Sequence, residues 1–130
     1  MSEQFNLEIV SPEKSFLKKD NVTEVVVPAF EGEMGILKDH IPLITFLRPG
    51  LIKIFNESEK KYFVEEGTVE FSNNNLVILS SSITELKTLS KEKISKIIED
   101  TRSQLNEENL DDKKQYVLSH KIDCLTKINL

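Results

Sequence analysis

Near its start the chain alternates apolar and polar residues: Phe5, Leu7 and Ile9 are separated by Asn6 and Glu8, the period of a half-buried strand. Val22–Val27 is mostly β-branched and stops at Pro28, which predicts a second strand. Leu43–Leu47 and Leu51–Phe55 flank a Pro49-Gly50 turn. Tyr62–Val64, then Val69 with Phe71, then Leu76–Leu79 follow. They are divided by Glu57-Ser58-Glu59-Lys60, by Glu66-Gly67 and by Asn73-Asn74-Asn75. Short apolar blocks with a turn signal about every ten residues predict an antiparallel sandwich or barrel. All four glycines and all four prolines fall in this half.

Beyond Leu89 the period changes to that of a helix. Ser90 is placed as an N-cap, with Glu92 in the first turn where a carboxylate suits the helix dipole. Ile94, Ile97, Ile98, Thr101 and Leu105 then mark one face, and Asn106 to Asn109 break the pattern. Asp111-Asp112 starts a second helix. Its stripe is Leu118, Ile122 and Leu125, with Val117, Cys124 and Ile128 beside it. So short a break folds two helices back on each other. The predicted fold is an all-β sandwich followed by a small antiparallel α-helical hairpin, divided into residues 1–88 and 89–130.

Charge follows the same division. Residues 1–89 carry nine basic and fourteen acidic side chains, whereas residues 90–130 carry eight of each. The net charge of −5 argues against a nucleic-acid binder, which needs a basic face. At 130 residues the chain buries roughly 65–70% of its unfolded surface, enough for one real core. No apolar run approaches the roughly 20 residues that span a bilayer, and MSEQFNLEIV lacks the pattern of a signal peptide. The single cysteine, Cys124, excludes an intrachain disulfide and fits a reducing compartment.

Candidate chemistry is sparse. Neither GxxxxGK[ST] nor GxGxxG occurs, and no cofactor is expected. His40 and His120 lie in different halves, which disfavours a metal site, and Cys124 reads as a small buried hydrophobe. Glu31 and Glu33 invite a paired-carboxylate reading, but two acids around Gly32 in a turn are usually solvated. His120 reads as a surface histidine. His40, between Asp39 and Ile41-Pro42, is either a hydrogen-bonded loop residue or a partner contact. Gly32, Gly35, Pro42, Pro49 and Gly50 read as turn residues that would hold the loops of a docking surface in a fixed shape.

One segment goes further. VVVPAFEGEMGILKDHIPLITFLRPGLIKI contains Gly32-Glu33-Met34-Gly35-Ile36, His40-Ile41-Pro42-Leu43 and Pro49-Gly50-Leu51-Ile52. It resembles the signature of the epsilon subunit of bacterial F-type ATP synthases. LEIVSPEKSF resembles that family's first strand and turn, and Val64–Phe71 its F-x-x-x-G-x-[VL]-x-[FV] segment. The match spans about residues 5–86. The tail agrees in architecture only, because the family's alanine-rich helices and R-A pairs have no counterpart here, where Ala29 is the sole alanine.

The resemblance implies a non-catalytic subunit of the central rotor stalk, coupling proton flow to ATP synthesis. Its partners would be the gamma subunit, the c-ring and, through the hairpin, the alpha and beta subunits of the catalytic head. It implies that Glu33 and His40, with Glu31 as a neighbour, sit in loops at the c-ring end. It also implies a peripheral position on the cytoplasmic face of the bacterial inner membrane, reached only through the complex. In some members the hairpin extends into the head and blocks ATP hydrolysis; here Lys113, Lys114, Lys121 and Lys127 could meet acidic surface. Some members bind ATP through I-D-x-x-R-A, to which Ile98, Glu99 and Arg102 correspond, with Glu replacing Asp and Ser103 replacing Ala. The competing readings are a free-standing β-sandwich binding module and a small hydrolase using Glu31 and Glu33.

Overall fold

The computed structural model describes residues 3–128; Met1, Ser2, Asn129 and Leu130, at the outer ends of the two expected domains, lie outside the described residues. Ten strands come first: β1 Phe5–Ser11, β2 Lys14–Val22, β3 Glu24–Ala29, β4 Gly32–Leu37 and β5 Leu43–Leu47. β6 Gly50–Phe55, β7 Glu59–Val64, β8 Gly67–Ser72, β9 Asn75–Leu79 and β10 Ile83–Glu85 complete them. β10, β7, β6, β3 and β4 form one layer, and β5, β8, β9, β1 and β2 the other. A single β3–β5 pairing, Ala29 with Leu47, joins the layers at one corner.

Phe5, Leu7 and Ile9, whose alternation predicts a half-buried strand, face inward, as do apolar residues of other strands. Leu7, Ile9, Val25, Val27, Ile52, Ile54, Val69 and Ile78 are all buried. Phe5 meets Phe71 edge-on at 5.6 Å, and Phe16 of β2 meets Tyr62 of β7 at 5.7 Å across the layers. Each fully buried aliphatic or aromatic side chain contributes about 1.5–3 kcal/mol, so this core holds the sandwich together.

The structure corrects the sequence reading in several places. The sheet is not wholly antiparallel, because β1 runs parallel to β9 with Leu7 opposite Leu76. Gly35 is not a turn residue: it lies inside β4 opposite Val26, where the strand forms the outer edge of its layer. Gly32 starts that strand at a φ of 152°, a conformation that favours glycine. Gly50 is the first residue of β6, pressed so close to Pro28 that a Cβ there would approach it to 2.5 Å.

A short 3-10 turn, Leu86–Thr88, leads to α1 Lys91–Leu105 and α2 Asp112–Lys127. Ser90 caps α1 as expected, and Asp111, where the second helix is expected to start, caps α2. Ser90 Oγ accepts from the Lys93 amide at 3.2 Å, and Asp111 Oδ1 from the Lys114 amide at 2.7 Å. Asn109, in the break between them, takes a φ of 67°. The hairpin packs on the outer face of β6 and β7, over a second apolar cluster. Phe63, Leu89, Ile94 and Leu125 are buried there, with Leu51, Ile97, Ile98 and Cys124 around them. This cluster is distinct from the one between the layers.

Candidate functional site

The loop carrying His40 and the seam where α2 meets the sandwich both concentrate specific interactions. After β4 the chain turns on Asp39, with a φ of 66°, and the neighbouring β8–β9 turn uses Asn74 at 58°. These two clasp each other. The Asp39 amide donates to Asn74 Oδ1 at 2.7 Å, and Asn74 Nδ2 donates to Asp39 Oδ1 at 3.0 Å. His40 is held by the same frame. Its Nδ1–H donates to the Ile41 carbonyl at 2.7 Å, and its ring stands edge-on to Phe71 at 6.0 Å. Ile41 remains 74% exposed and Leu37 55%. The loop is therefore rigid, and it presents apolar side chains to solvent.

Glu31 and Glu33 do not share this end of the molecule. Glu31 belongs to the β3–β4 turn and lines a cleft with Phe46, Glu65 and Lys113. Glu33 is a strand residue, not a loop residue: it is the second position of β4, opposite Pro28, with Lys53 at 3.9 Å. It faces a different cleft, shared with Arg48, His120 and Asp123. β4 advances about 3.3 Å per residue, so nearly its whole length separates Glu33 from the His40 loop. The two carboxylates point into separate clefts and do not form the pair that acid–base hydrolysis needs.

The seam between α2 and the sandwich carries the residues that sequence reasoning missed. Tyr116 donates its hydroxyl to the Phe30 carbonyl at 2.5 Å and accepts from Arg48 Nη1 at 2.9 Å. Phe30 and Tyr116 rings lie 4.9 Å apart, and the Lys113 ammonium sits over Phe30 at 6.0 Å. One turn further, His120 packs edge-on against Tyr116 at 4.4 Å, with Nε2 3.4 Å from Arg48 Nη1. It is half-buried, not the surface histidine expected. Burial, followed by the Arg48 guanidinium, holds it below the ordinary histidine value, while Asp123 opposes them. Lys121 pairs with Glu65 at 2.5 Å. Cys124 packs in the hairpin cluster as expected, and burial pushes its thiol up to about 11. Arg48 and Tyr116 stand 68 positions apart, and no local pattern announces the pair.

The remaining candidates divide simply. Ile98 packs into the hairpin cluster, whereas Glu99 and Arg102 are exposed on α1. Pro42 lies just before β5, and Pro49 is buried at the bend before β6. Among the described residues no group of His, Cys, Asp and Glu is placed to hold a metal ion, and no helix is long and apolar enough to cross a membrane.

A family model described as ATP synthase, Delta/Epsilon chain, beta-sandwich domain matches residues 4–86. The ATP synthase epsilon chain of Pelagibacter ubique is 58% identical over 132 residues, covering 99% of this chain and 100% of that one. The epsilon chain of Rhizobium etli is 36% identical over 98% of this chain and 95% of its own length. Among solved structures, a chain of the Euglena gracilis mitochondrial ATP synthase superposes with a TM-score of 0.76 at 20% identity, over 97% of this chain and 79% of that one. A chain of the Tetrahymena thermophila central stalk and c-ring gives 0.65 at 17%, over 98% of both. Those two likenesses establish the fold; the sequence matches establish kinship, and the chain belongs to the delta/epsilon chain family of ATP synthases, in its bacterial epsilon type.

Proposed function

We propose that the chain is a non-catalytic rotor subunit in the central stalk of a bacterial F-type ATP synthase, coupling proton flow through the c-ring to ATP synthesis. The observation that carries this is the 58% identity with a bacterial epsilon chain, over an alignment that spans both sandwich and hairpin. Its partners are the gamma subunit and the c-ring, with the catalytic head reached through the hairpin. It sits peripherally on the cytoplasmic face of the inner membrane, held there by the complex.

The c-ring contact uses Glu31, Glu33 and His40. Because these residues are spread along β4, the contact is side-on. The unpaired edge of β4 and the His40 loop, with Ile41 and Leu37 exposed, lie against the ring together. Gly32, Pro42 and Pro49-Gly50 keep that edge rigid. Residues 1–88 form the docking domain and residues 89–130 a mobile regulatory one that restrains ATP hydrolysis when it extends. The separateness of the hairpin cluster from the sandwich core supports this, since the hairpin can leave without opening the core. In the docked position Lys121 is committed to Glu65 of the sandwich, so extension frees that ammonium for the head. The packing of Ile98 in the hairpin cluster speaks against a nucleotide site at Ile98, Glu99 and Arg102.

The test is to tag the protein in its own cells, solubilise the membranes gently and identify what co-elutes. Recovery of gamma, the c-ring and the catalytic head is expected. Elution alone in the soluble fraction would overturn the assignment.

A further inference from the structure

The seam between α2 and the sandwich contains a group that changes its hydrogen-bonding role on taking up a proton. A guanidinium only donates, so His120 can meet Arg48 at 3.4 Å only with Nε2 bare, as the neutral ring. Protonation turns Nε2 into a donor and sets a second cation against Arg48. Asp123 offsets that charge only in part. The cleft of about 400 Å³ beneath α2 brings Glu33 of β4, Lys53 of β6 and Lys61 of β7 to this site, along with Asp123, Cys124 and Lys127 of α2. Its two carboxylates already have cations: Glu33 has Lys53 at 3.9 Å, and Asp123 has Lys127 at 3.1 Å. Cys124 stays a neutral thiol. Lys61 lies with Glu59 at 3.7 Å, and Lys121 with Glu65 at 2.5 Å.

Arg48 also supports the rest of the seam. The same Nη1 that faces His120 donates to Tyr116, which in turn donates to the Phe30 carbonyl. Displacing Arg48 therefore loosens the whole chain of bonds between α2 and the β3–β4 turn. We propose that His120 and Arg48 form an acid-released latch: neutral His120 lets the hairpin lie on the sandwich, and protonated His120 frees it.

The sign follows from linkage. The proton binds more tightly once α2 has left Arg48 and returned to water. Docking is then complete above the ordinary histidine value of about 6.5 and declines as pH falls below it. Release is a property of this chain alone, while its meaning as regulation rests on the hairpin role proposed above.

The measurement is NMR on the full isolated chain, following nuclear Overhauser contacts between the Tyr116 and Phe30 rings from about pH 8 to about pH 5. In the native chain these contacts fade below about pH 6.5 and return when the pH is raised. His120→Phe keeps the ring packing against Tyr116 but cannot titrate, and its contacts persist across the range. Arg48→Gln still donates to the Tyr116 hydroxyl but carries no charge, and it loses contacts less steeply in acid. Contacts that survive unchanged in the native chain overturn the latch, as does equal loss in His120→Phe. If His120→Phe fails to dock at any pH, Arg48→Gln decides, and undiminished acid loss there overturns the proposal. The co-elution experiment succeeds or fails independently of this titration.

Discussion

Phe30 and Tyr116, 86 positions apart, touch twice: hydroxyl to carbonyl at 2.5 Å, and ring to ring at 4.9 Å. The hydroxyl also accepts from Arg48, so this single atom bonds α2 to both the β3–β4 turn and the β5–β6 bend. Tyr116→Phe keeps the ring and removes both bonds, weakening hairpin docking by about 2 kcal/mol. Amide exchange across residues 112–127 should accelerate accordingly while strands β1, β8 and β9 keep their protection. Equal acceleration everywhere would mean that hairpin and sandwich unfold together.

Cys124 offers a second readout of the same equilibrium. Burial pushes its thiol up to about 11, and the thiolate is the reactive form, so alkylation at neutral pH should be slow. Tyr116→Phe should speed it by roughly tenfold or more, following the loss of docking energy. An unchanged alkylation rate would show that Cys124 is shielded by something other than the docked hairpin.

These seam residues mark the limit of what the chain discloses locally. The alternation of Phe5, Leu7 and Ile9, the β-branched run before Pro28 and the caps Ser90 and Asp111 all report on their own neighbours, and each was legible. β2 was not, because Phe16 and Leu17 are surrounded by Ser15, Lys18, Lys19 and Asp20, whose partners are supplied by β1. β4 was not, because an edge strand needs little apolar alternation and its two glycines imitate a turn. The turn and loop assignments of Gly35 and Glu33 failed for that reason. Arg48 and Tyr116 carry no local signature, since a hydrogen bond across 68 residues is a property of the assembled sheet and helix.

The two glycines of contrasting environment make a paired test. Gly67 has a φ of 155°, and a Cβ there would meet the Leu79 carbonyl oxygen at 2.4 Å. Gly67→Ala should cost about 2–4 kcal/mol, lowering the melting temperature by roughly 10 °C. A Cβ at Gly35 meets only the Glu24 Oε2 at 3.2 Å, the far end of a flexible side chain. Gly35→Ala should therefore leave the melting temperature within about 3 °C of the native value. Equal losses in both would refute this account of the backbone.

Acid sensitivity of the sandwich itself is expected to centre on Glu66. Its Oε1 accepts from the Ser81 hydroxyl at 2.6 Å and the Ser81 amide at 3.0 Å. The Ser81 hydroxyl bond is the main cause that holds its carboxyl below the ordinary carboxylate value, against the opposing effect of burial. A depressed carboxyl stabilises the fold above its unfolded value and loses that contribution as pH falls through the depressed one. Glu66→Gln should flatten the drop in melting temperature below about pH 4.5. An acid limb identical to the native one would assign that sensitivity elsewhere.

The separation of the two apolar clusters gives the sharpest test of the hairpin's role. Removing residues 90–130 takes away Ile94 and Leu125 and uncovers Phe63, now only 4% exposed, but it leaves every residue between the layers in place. The shortened chain should keep its sheet and its docking surfaces, and it should assemble with gamma and the c-ring. Uncovering Phe63 and Leu51 should make it less soluble alone, by exposing apolar area that the helices now cover. If the hairpin restrains the catalytic head, complexes carrying the shortened chain should hydrolyse ATP faster while still synthesising it. Unchanged hydrolysis would remove the inhibitory role and leave the subunit assignment standing, because the family match at residues 4–86 does not depend on the hairpin.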